Sequence, residues 1–165
     1  MNKTVTFTLN GKKVSREFSC DQFLLEALRE MGCKSVKRGC ETSACGLCTV
    51  WVDETPVLSC TTLAVRVDGK RVTTLEGLQD EARVIGGYLA DEGGEQCGFC
   101  SPGLIMNILS MEKAFPQLNP SEAEIRHYLE GNLCRCSGYE SHIRAVTNYF
   151  VSKRAERDAG KEETK

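Results

Sequence analysis

The distribution of cysteine constrains this chain more than any other feature of its sequence. Its 165 residues include ten cysteines, and eight of them form two groups of four. The first group is Cys40, Cys45, Cys48 and Cys60. The second group is Cys97, Cys100, Cys134 and Cys136. Cys20 and Cys33 belong to neither group. Because four cysteine thiolates are a common ligand set for one metal centre, the grouping predicts two such centres.

The redox state of the compartment decides how so many cysteines are used. The N-terminal segment MNKTVTFTLNGKKV has no apolar run of signal-peptide length, and no later segment has the length and apolarity of a membrane span. We therefore expect a cytoplasmic protein, in which thiols stay reduced and serve metal or redox chemistry. The even count of ten also fits a disulfide framework in a secreted protein, which the lack of an export signal disfavours. The balance of 21 basic and 23 acidic residues gives no field that would favour nucleic acid or an anionic membrane.

The stretch CETSACGLC, residues 40–48, spaces three cysteines by four residues and then by two. Plant-type [2Fe–2S] ferredoxins use this spacing, and their fourth ligand lies further along the chain. Here the next cysteine, Cys60, follows Cys48 by twelve positions. The first group therefore predicts a [2Fe–2S] site in a glycine-containing loop.

Residues 1–76 have the pattern of a small α+β domain. Asn10-Gly11 predicts a tight hairpin turn between two strands with alternating polar and apolar residues. A helix is predicted over residues 22–31, with Asp21 as its N-cap. The predicted strands cover residues 4–9, 13–18, 49–52 and 71–74. The loop that carries the first three cysteines thus lies between the helix and the third strand.

Residues 77–153 change to a helical period and predict a bundle of four helices. The first predicted helix covers residues 83–92, and the second begins at Pro102 behind Ser101. The third runs from the capping box Ser121-Glu124 to about Gly131. The last has an apolar stripe that consists of Tyr139, Ile143, Val146 and Phe150. Residues 154–165 contain few apolar side chains, and we expect them to be disordered.

The second cysteine group is predicted to lie at the starts of two of these helices. Four thiolates would meet if those starts face each other, and helix N-termini favour the negative charge of a thiolate-ligated cluster. Tetrahedral zinc stays open as an alternative, since four-cysteine sites with a C-x2-C element are ordinary structural zinc sites. The short C-x-C element at residues 134–136 is less natural for zinc.

Three longer motifs resemble those of the molybdenum hydroxylase (xanthine oxidase) family. GCETSACGLCTV at 39–50, with SC at 59–60, resembles the family's first cluster motif, and GGEQCGFCSPGLI at 93–105 with GNLCRCSGY at 131–139 resembles its second. The resemblance covers about residues 3–150. Within the family, the chain resembles the small iron–sulfur subunit of the enzymes that consist of three polypeptides. It implies an α+β fold with an N-terminal β-grasp ferredoxin-like domain and a C-terminal four-helix bundle. It also implies [2Fe–2S] clusters in place of zinc.

The resemblance further implies a role for each cysteine group. The first group would ligate an outer [2Fe–2S] cluster nearer the flavin partner, and the second an inner cluster nearer the pterin of the molybdenum cofactor. Gln96 and Cys136 correspond to family positions that approach this pterin. Judged by residue type alone, Gln96 would be a solvated loop glutamine. For Cys20 and Cys33 we predict ordinary thiols that ligate no metal.

The function implied by the resemblance is that of an electron-transfer subunit without a catalytic centre of its own. Electrons would pass singly from molybdopterin on a large subunit, through both clusters, to FAD on a medium subunit. A free-standing ferredoxin-like carrier and a binding or sensing module with structural clusters stay open as alternatives. No residue selects among purines, N-heteroaromatics, aldehydes, carbon monoxide and aromatic coenzyme A thioesters as the substrate.

A few positions depart from the family's usual pattern without removing a ligand. Leu47 stands where alanine is common, and Ser101 and Ser137 stand where threonine is common. Residues 53–56 replace a usual Asp-Gly hairpin. The first and last of these departures concern packing around the outer cluster and the fit to a flavin subunit.

Overall fold

The computed structural model describes residues 1–162, within which five strands form one sheet and four of the five α-helices pack together after it. The strand order is β2-β1-β5-β3-β4, in which β1 and β5 are parallel and the other neighbours antiparallel. The strands are β1 (Asn2–Leu9), β2 (Lys12–Ser19), β3 (Thr49–Val52), β4 (Thr55–Leu58) and β5 (Arg71–Thr73). Helix α1 (Leu24–Glu30) follows β2, and its buried leucines pack with Val5, Phe7 and Val50 in the core of the sheet.

Two short turns close the hairpins of this sheet. Asn10 and Gly11 have φ of 48° and 79°, as expected for a two-residue turn between twisted strands. Asp53 and Glu54 form the second turn with φ of 49° and 66°, although neither is glycine. The Asp53 carboxylate accepts hydrogen bonds from the Arg71 N–H at 2.9 Å and the Lys70 ammonium at 2.8 Å. The hairpin therefore forms without the usual Asp-Gly pair, and its second strand, β4, is one that the periodicity did not predict.

The predicted start of the first helix is wrong. Asp21 does not cap α1, which begins at Leu24 with Phe23 as its N-cap. The Asp21 carboxylate instead accepts a hydrogen bond from the Ser19 hydroxyl. This local turn satisfies the side chain before the helix begins.

The helical part consists of α2 (Gln79–Asp91), α3 (Ser101–Ala114), α4 (Glu122–Leu129) and α5 (Glu140–Glu162). Its core is apolar and contains Ile85, Leu89, Ile108, Met111, Ile125, Val146 and Phe150. The capping box predicted at the start of α4 is present, because Ser121 and Glu124 bond to each other's backbone. No helix within the described residues combines the length and apolarity needed to cross a membrane.

Two predictions for the end of the chain differ from the structure. Tyr139 is exposed, has φ of 71° and precedes α5, so it does not share the buried stripe of Ile143, Val146 and Phe150. The segment expected to be disordered, residues 154–165, is helical as far as Glu162, and residues 163–165 lie outside the described residues. Arg154 bonds to Asn119, and Arg157 donates to the Pro116 carbonyl at 3.3 Å, so tertiary contacts support this part of the helix.

The sheet and the helices meet along α3. The Trp51 indole N–H on β3 donates to the Met106 carbonyl on α3 at 3.1 Å. Asn10 joins β1 to the connection between the two parts, since its Oδ1 accepts from the Thr74 N–H at 2.9 Å. The first contact joins the strand that follows three cysteines of the first group to the helix that follows Cys97 and Cys100.

Candidate metal centres

The first cysteine group is held by a loop between α1 and β3 and by one short helical turn. Residues 39–48, the first cysteine loop, carry three of its members, and Cys60 lies in the 3₁₀ turn Ser59–Thr61 after β4. The Cys45 side chain acts on the pKa of Cys40, and the Cys60 side chain acts on that of Cys48, so each of these two pairs lies close together. Cys60 Sγ also lies 3.9 Å from the Ser43 hydroxyl within the loop. The fold thus brings the distant Cys60 to the loop, as a four-cysteine site requires.

Backbone N–H groups converge on the sulfurs of this loop. The Cys45 side chain, together with the N–H groups of Thr42, Ala44 and Cys45, lowers the pKa of Cys40 to about 6. Cys48, by contrast, packs in the core of the sheet, and burial raises its pKa to about 11. Metal coordination keeps a thiol deprotonated even where burial opposes ionisation. The donor set therefore fits an anionic, thiolate-ligated cluster that is partly buried and hydrogen-bonded from the backbone.

The second cysteine group also forms two pairs of neighbouring sulfurs. Cys97 Sγ and Cys136 Sγ are 3.6 Å apart, and the sulfurs of Cys100 and Cys134 lie within 4.8 Å of each other. Cys100 is the N-cap of α3, whereas Cys134 and Cys136 lie in the loop before α5. The structure therefore brings all four together, but only Cys100 lies directly at a helix start.

Hydrogen bonds and burial act on this second group as they do on the first. Burial raises the pKa of Cys100 to about 12. For Cys134 burial acts in the same direction, but hydrogen bonds from Ser137 outweigh it and lower the pKa. The Ser137 N–H lies 3.4 Å from Cys134 Sγ. The site again combines thiols with backbone donors, which fits a second cluster of the same chemical kind.

A buried histidine beside the second group escapes prediction from the sequence. The Nε2–H of His142 donates to the Gly94 carbonyl at 3.0 Å, which leaves Nδ1 to accept from the Ser137 hydroxyl at 3.4 Å. A ligand atom of His142 lies within 4.8 Å of the sulfurs of Cys100 and Cys134. Burial lowers the pKa of His142. Both ring nitrogens have protein partners, so this side chain serves to hold the loop that carries Cys134.

Gln96 lies beside Cys136, with which the sequence paired it. Its Nε2 donates to the Cys136 carbonyl at 3.2 Å, and the residue is exposed. Among the residues that the structure describes, its amide oxygen has no hydrogen-bond partner. Contact with a pterin stays a prediction, as does the absence of a ligand role for Cys20 and for Cys33, which packs in the core of the sheet.

A cavity of about 330 Å³ lies between the two groups and is lined by members of both. Cys40 and Cys45 border it from the first group, and all four cysteines of the second border it from the other side. The Leu133 N–H donates to the Cys45 carbonyl at 2.9 Å, so one hydrogen bond connects a ligand candidate of the first group to the residue before Cys134. The two sites are therefore adjacent and share a wall.

Two glycines allow this close approach of backbones. A Cβ on Gly46, whose φ is 72°, would lie 2.5 Å from the Gly131 carbonyl oxygen. A Cβ on Gly103, in the first turn of α3, would lie 2.4 Å from the Gly46 oxygen and 2.9 Å from Leu47 Cα. Because real side chains do not tolerate such distances from backbone atoms, both positions require glycine.

Comparisons with known proteins agree with this geometry. Residues 7–75 match the family described as 2Fe-2S iron-sulfur cluster binding domain, and residues 74–147 match the [2Fe-2S] binding domain family. The chain is 44% identical over 158 residues to the xanthine dehydrogenase iron-sulfur-binding subunit of Escherichia coli O157:H7, covering 91% of this chain and 96% of that one. It is 37% identical over 157 residues to the nicotinate dehydrogenase small FeS subunit of Eubacterium barkeri, covering 93% and 98%.

A solved structure has the same fold. A chain of quinoline 2-oxidoreductase from Pseudomonas putida 86 superimposes with a TM-score of 0.85 at 36% identity, over 94% of this chain and 97% of that one. This likeness, with the two family matches, confirms the predicted fold class: a ferredoxin-like sheet domain followed by a helical domain.

Replacing Gly103 tests the contact between the two sites. We expect Gly103→Ala to cost about 1–3 kcal/mol of stability, as overpacking does, and to lower the iron content, because the added methyl group pushes the first cysteine loop away from α3. Gly87→Ala is the control: a Cβ there meets nothing within 4 Å, and alanine in a helix should add about 0.5–1 kcal/mol. Thermal unfolding and iron per chain are the measurements. Equal behaviour of the two variants would contradict the tight contact.

Proposed function

This chain belongs to the family of small [2Fe–2S] subunits of xanthine dehydrogenase- and aldehyde oxidoreductase-type molybdenum hydroxylases, and from that membership we propose its partners and its electron path. Proteins of this family are iron–sulfur electron-transfer subunits of multi-subunit oxidoreductases, and this chain has both of their 2Fe–2S binding domains. We propose that it links molybdopterin on a large subunit to FAD on a medium subunit. Its domains would be residues 1–76 and 77–153, consistent with the ranges that the two families match.

The proposed ligands are the two cysteine groups. Cys40, Cys45, Cys48 and Cys60 would hold the outer cluster, and Cys97, Cys100, Cys134 and Cys136 the inner one. When bound, each [2Fe–2S] cluster supplies one-electron redox chemistry. The chain's own contribution is to place the two sites on either side of one cavity and to direct backbone N–H groups at their sulfurs. The hydrogen bond from the Leu133 N–H to the Cys45 carbonyl holds the two sites next to each other.

The exposed side of the second group favours an obligate subunit over a free carrier. Cys97 and Cys136 are exposed, and three large apolar residues beside them are 47%, 46% and 40% exposed, namely Phe99, Leu133 and Tyr139. All five line the cavity between the two groups. An apolar surface next to redox sulfurs suits a lasting interface that excludes water. This observation carries the proposal that the large subunit covers this face, with its pterin against Gln96 and Cys136.

The substrate is selected by the partner subunit, and its class is proposed by likeness. Relatives that match this chain over most of their length act, by their names, on xanthine, nicotinate and quinoline. These compounds are aromatic nitrogen heterocycles, and we propose that class for the complex of this chain.

A cytoplasmic location is also proposed, because a reducing compartment suits two sets of ligand thiols.

The first test of the ligand proposal is metal content. We expect about four irons and four acid-labile sulfides per chain, as two [2Fe–2S] clusters require. Electron paramagnetic resonance of the reduced protein should resolve two distinct rhombic signals. Stoichiometric zinc without labile sulfide, in protein prepared without air, would contradict the assignment.

Single substitutions separate ligands from other cysteines. Cys45→Ser should abolish the signal of one cluster and leave the other, because serine is a poor replacement for a thiolate ligand. Cys20→Ser and Cys33→Ser are the matched controls and should leave both signals unchanged. Loss of a signal in either control would show that the ligand sets are assigned wrongly.

Gln96→Ala tests the proposed contact with the pterin. We expect iron content and both signals to stay as in the wild-type complex, because Gln96 supplies no ligand. The proposed interface would bury this amide, so its removal should weaken cofactor retention or slow reduction of the inner cluster, at a cost of about 1–3 kcal/mol. Gln79→Ala is the control, since Gln79 also donates to a backbone carbonyl, that of Leu75, but belongs to neither site.

The measurements are molybdenum content and rapid-mixing reduction of the assembled complex by substrate. Wild-type molybdenum and wild-type rates in Gln96→Ala would return Gln96 to the role of a solvated loop residue.

A further inference from the structure

Lys37 connects the two cysteine sites through its backbone and its side chain separately. Its N–H donates to the Leu47 carbonyl at 3.3 Å, which fixes the residue to the first cysteine loop. Its ammonium donates to the Gly98 carbonyl at 3.2 Å. Gly98 lies between Cys97 and Cys100 of the second group. The cation therefore extends from the wall of the first site to the backbone of the second.

The surroundings of the Lys37 ammonium screen and neutralise its charge only weakly. Nζ lies 4.9 Å from the centroid of the Phe99 ring, within the range of a cation–π contact. The hydrogen bond to Gly98 is partly buried, and water screens a partly buried charge less than an exposed one. Within residues 1–160, no carboxylate forms an ion pair with Lys37, whereas its neighbour Arg38 contacts Glu26 and Glu41. The Lys37 ammonium thus lies against the backbone between two members of the second group, without a carboxylate partner among these residues.

We propose that Lys37 is an electrostatic positioning residue that favours the reduced state of the inner cluster. Four thiolates and the bridging sulfides outweigh the charge of the irons, so a bound cluster is anionic, and reduction adds one more negative charge. A cation bonded to the backbone between two ligands stabilises that added charge. The electron comes from the large subunit and leaves toward the outer cluster, and Lys37 itself exchanges neither electron nor proton. Its role is to raise the potential of the inner cluster and so favour arrival of the electron there.

This inference rests on the proposed ligand assignment, and its test measures potentials in the purified complex. The method is a redox titration followed by the electron paramagnetic resonance signal of each cluster. Lys37→Met removes the charge and the hydrogen bond, whereas Lys37→Gln removes the charge and keeps a donor. Both should lower the ratio of reduced to oxidised inner cluster at a fixed potential by about tenfold, which corresponds to about 59 mV for one electron. The signal of the outer cluster should shift less.

Two controls separate this role from a general effect of surface charge. Lys37→Arg keeps the charge and should retain the wild-type potential. Lys34→Met removes an equal charge three positions away, from an exposed lysine whose ammonium donates to the Arg29 carbonyl at 2.8 Å, and should change neither potential.

Three results would overturn the proposal: an unchanged inner potential in Lys37→Met, an equal shift in Lys34→Met, or a wild-type potential in Lys37→Gln. Loss of the inner signal from both uncharged variants would overturn it as well, because Lys37 would then be needed for assembly. If the wild-type complex does not show two cluster signals, the ligand assignment itself is contradicted. That outcome differs from the results above, all of which are changes in a variant relative to a wild-type complex with both signals.

Discussion

The contact between the first cysteine loop and the start of α3 is the constraint on which the rest of the structure depends. At this contact Gly103 meets the backbone of Gly46 and Leu47, and the Leu133 N–H bonds to the Cys45 carbonyl. Each cysteine group is assembled from its own part of the chain. Only the close approach of the two backbones makes them neighbours across one cavity. Since electron transfer weakens steeply with distance, this packing is what turns two binding sites into one path.

Placing two anionic clusters side by side carries an electrostatic cost, and the chain offsets it locally. Backbone N–H groups point at the sulfurs of Cys40 and Cys134, and such hydrogen bonds favour anionic sulfur. Lys37 adds a full charge between the sites. The net charge of the chain, −2, contributes little by comparison, because screening weakens distant surface charges. The local arrangement of donors, and not the overall composition, therefore sets how readily each site accepts an electron.

Much of this could be predicted from the sequence, because cysteine spacing and the longer motifs are unusually specific. The family, the fold class and the electron-transfer role are confirmed. Two errors arose where the residue pattern did not determine the local backbone geometry. Asp21 had the residue type of a cap but bonds within its own turn, and Tyr139 continued a helical period although its backbone is left-handed. The contact at Gly103 could not be foreseen, since it joins the first turn of α3 to a loop that is distant in sequence.

The exposed face of the second group explains why such a chain functions as a subunit. The first site is the more buried of the two, with Cys45 and Cys48 buried and Cys40 and Cys60 half-buried. Cys97 and Cys136 instead reach the surface beside Phe99, Leu133 and Tyr139. An iron–sulfur site that is open on one side is exposed to water and oxidants unless another surface covers it. A free carrier needs an accessible site for transient contacts, but it has no use for large exposed apolar residues around that site. The asymmetry between the two sites therefore supports the proposal that a permanent partner covers the second group and shields the sulfurs that this chain leaves exposed.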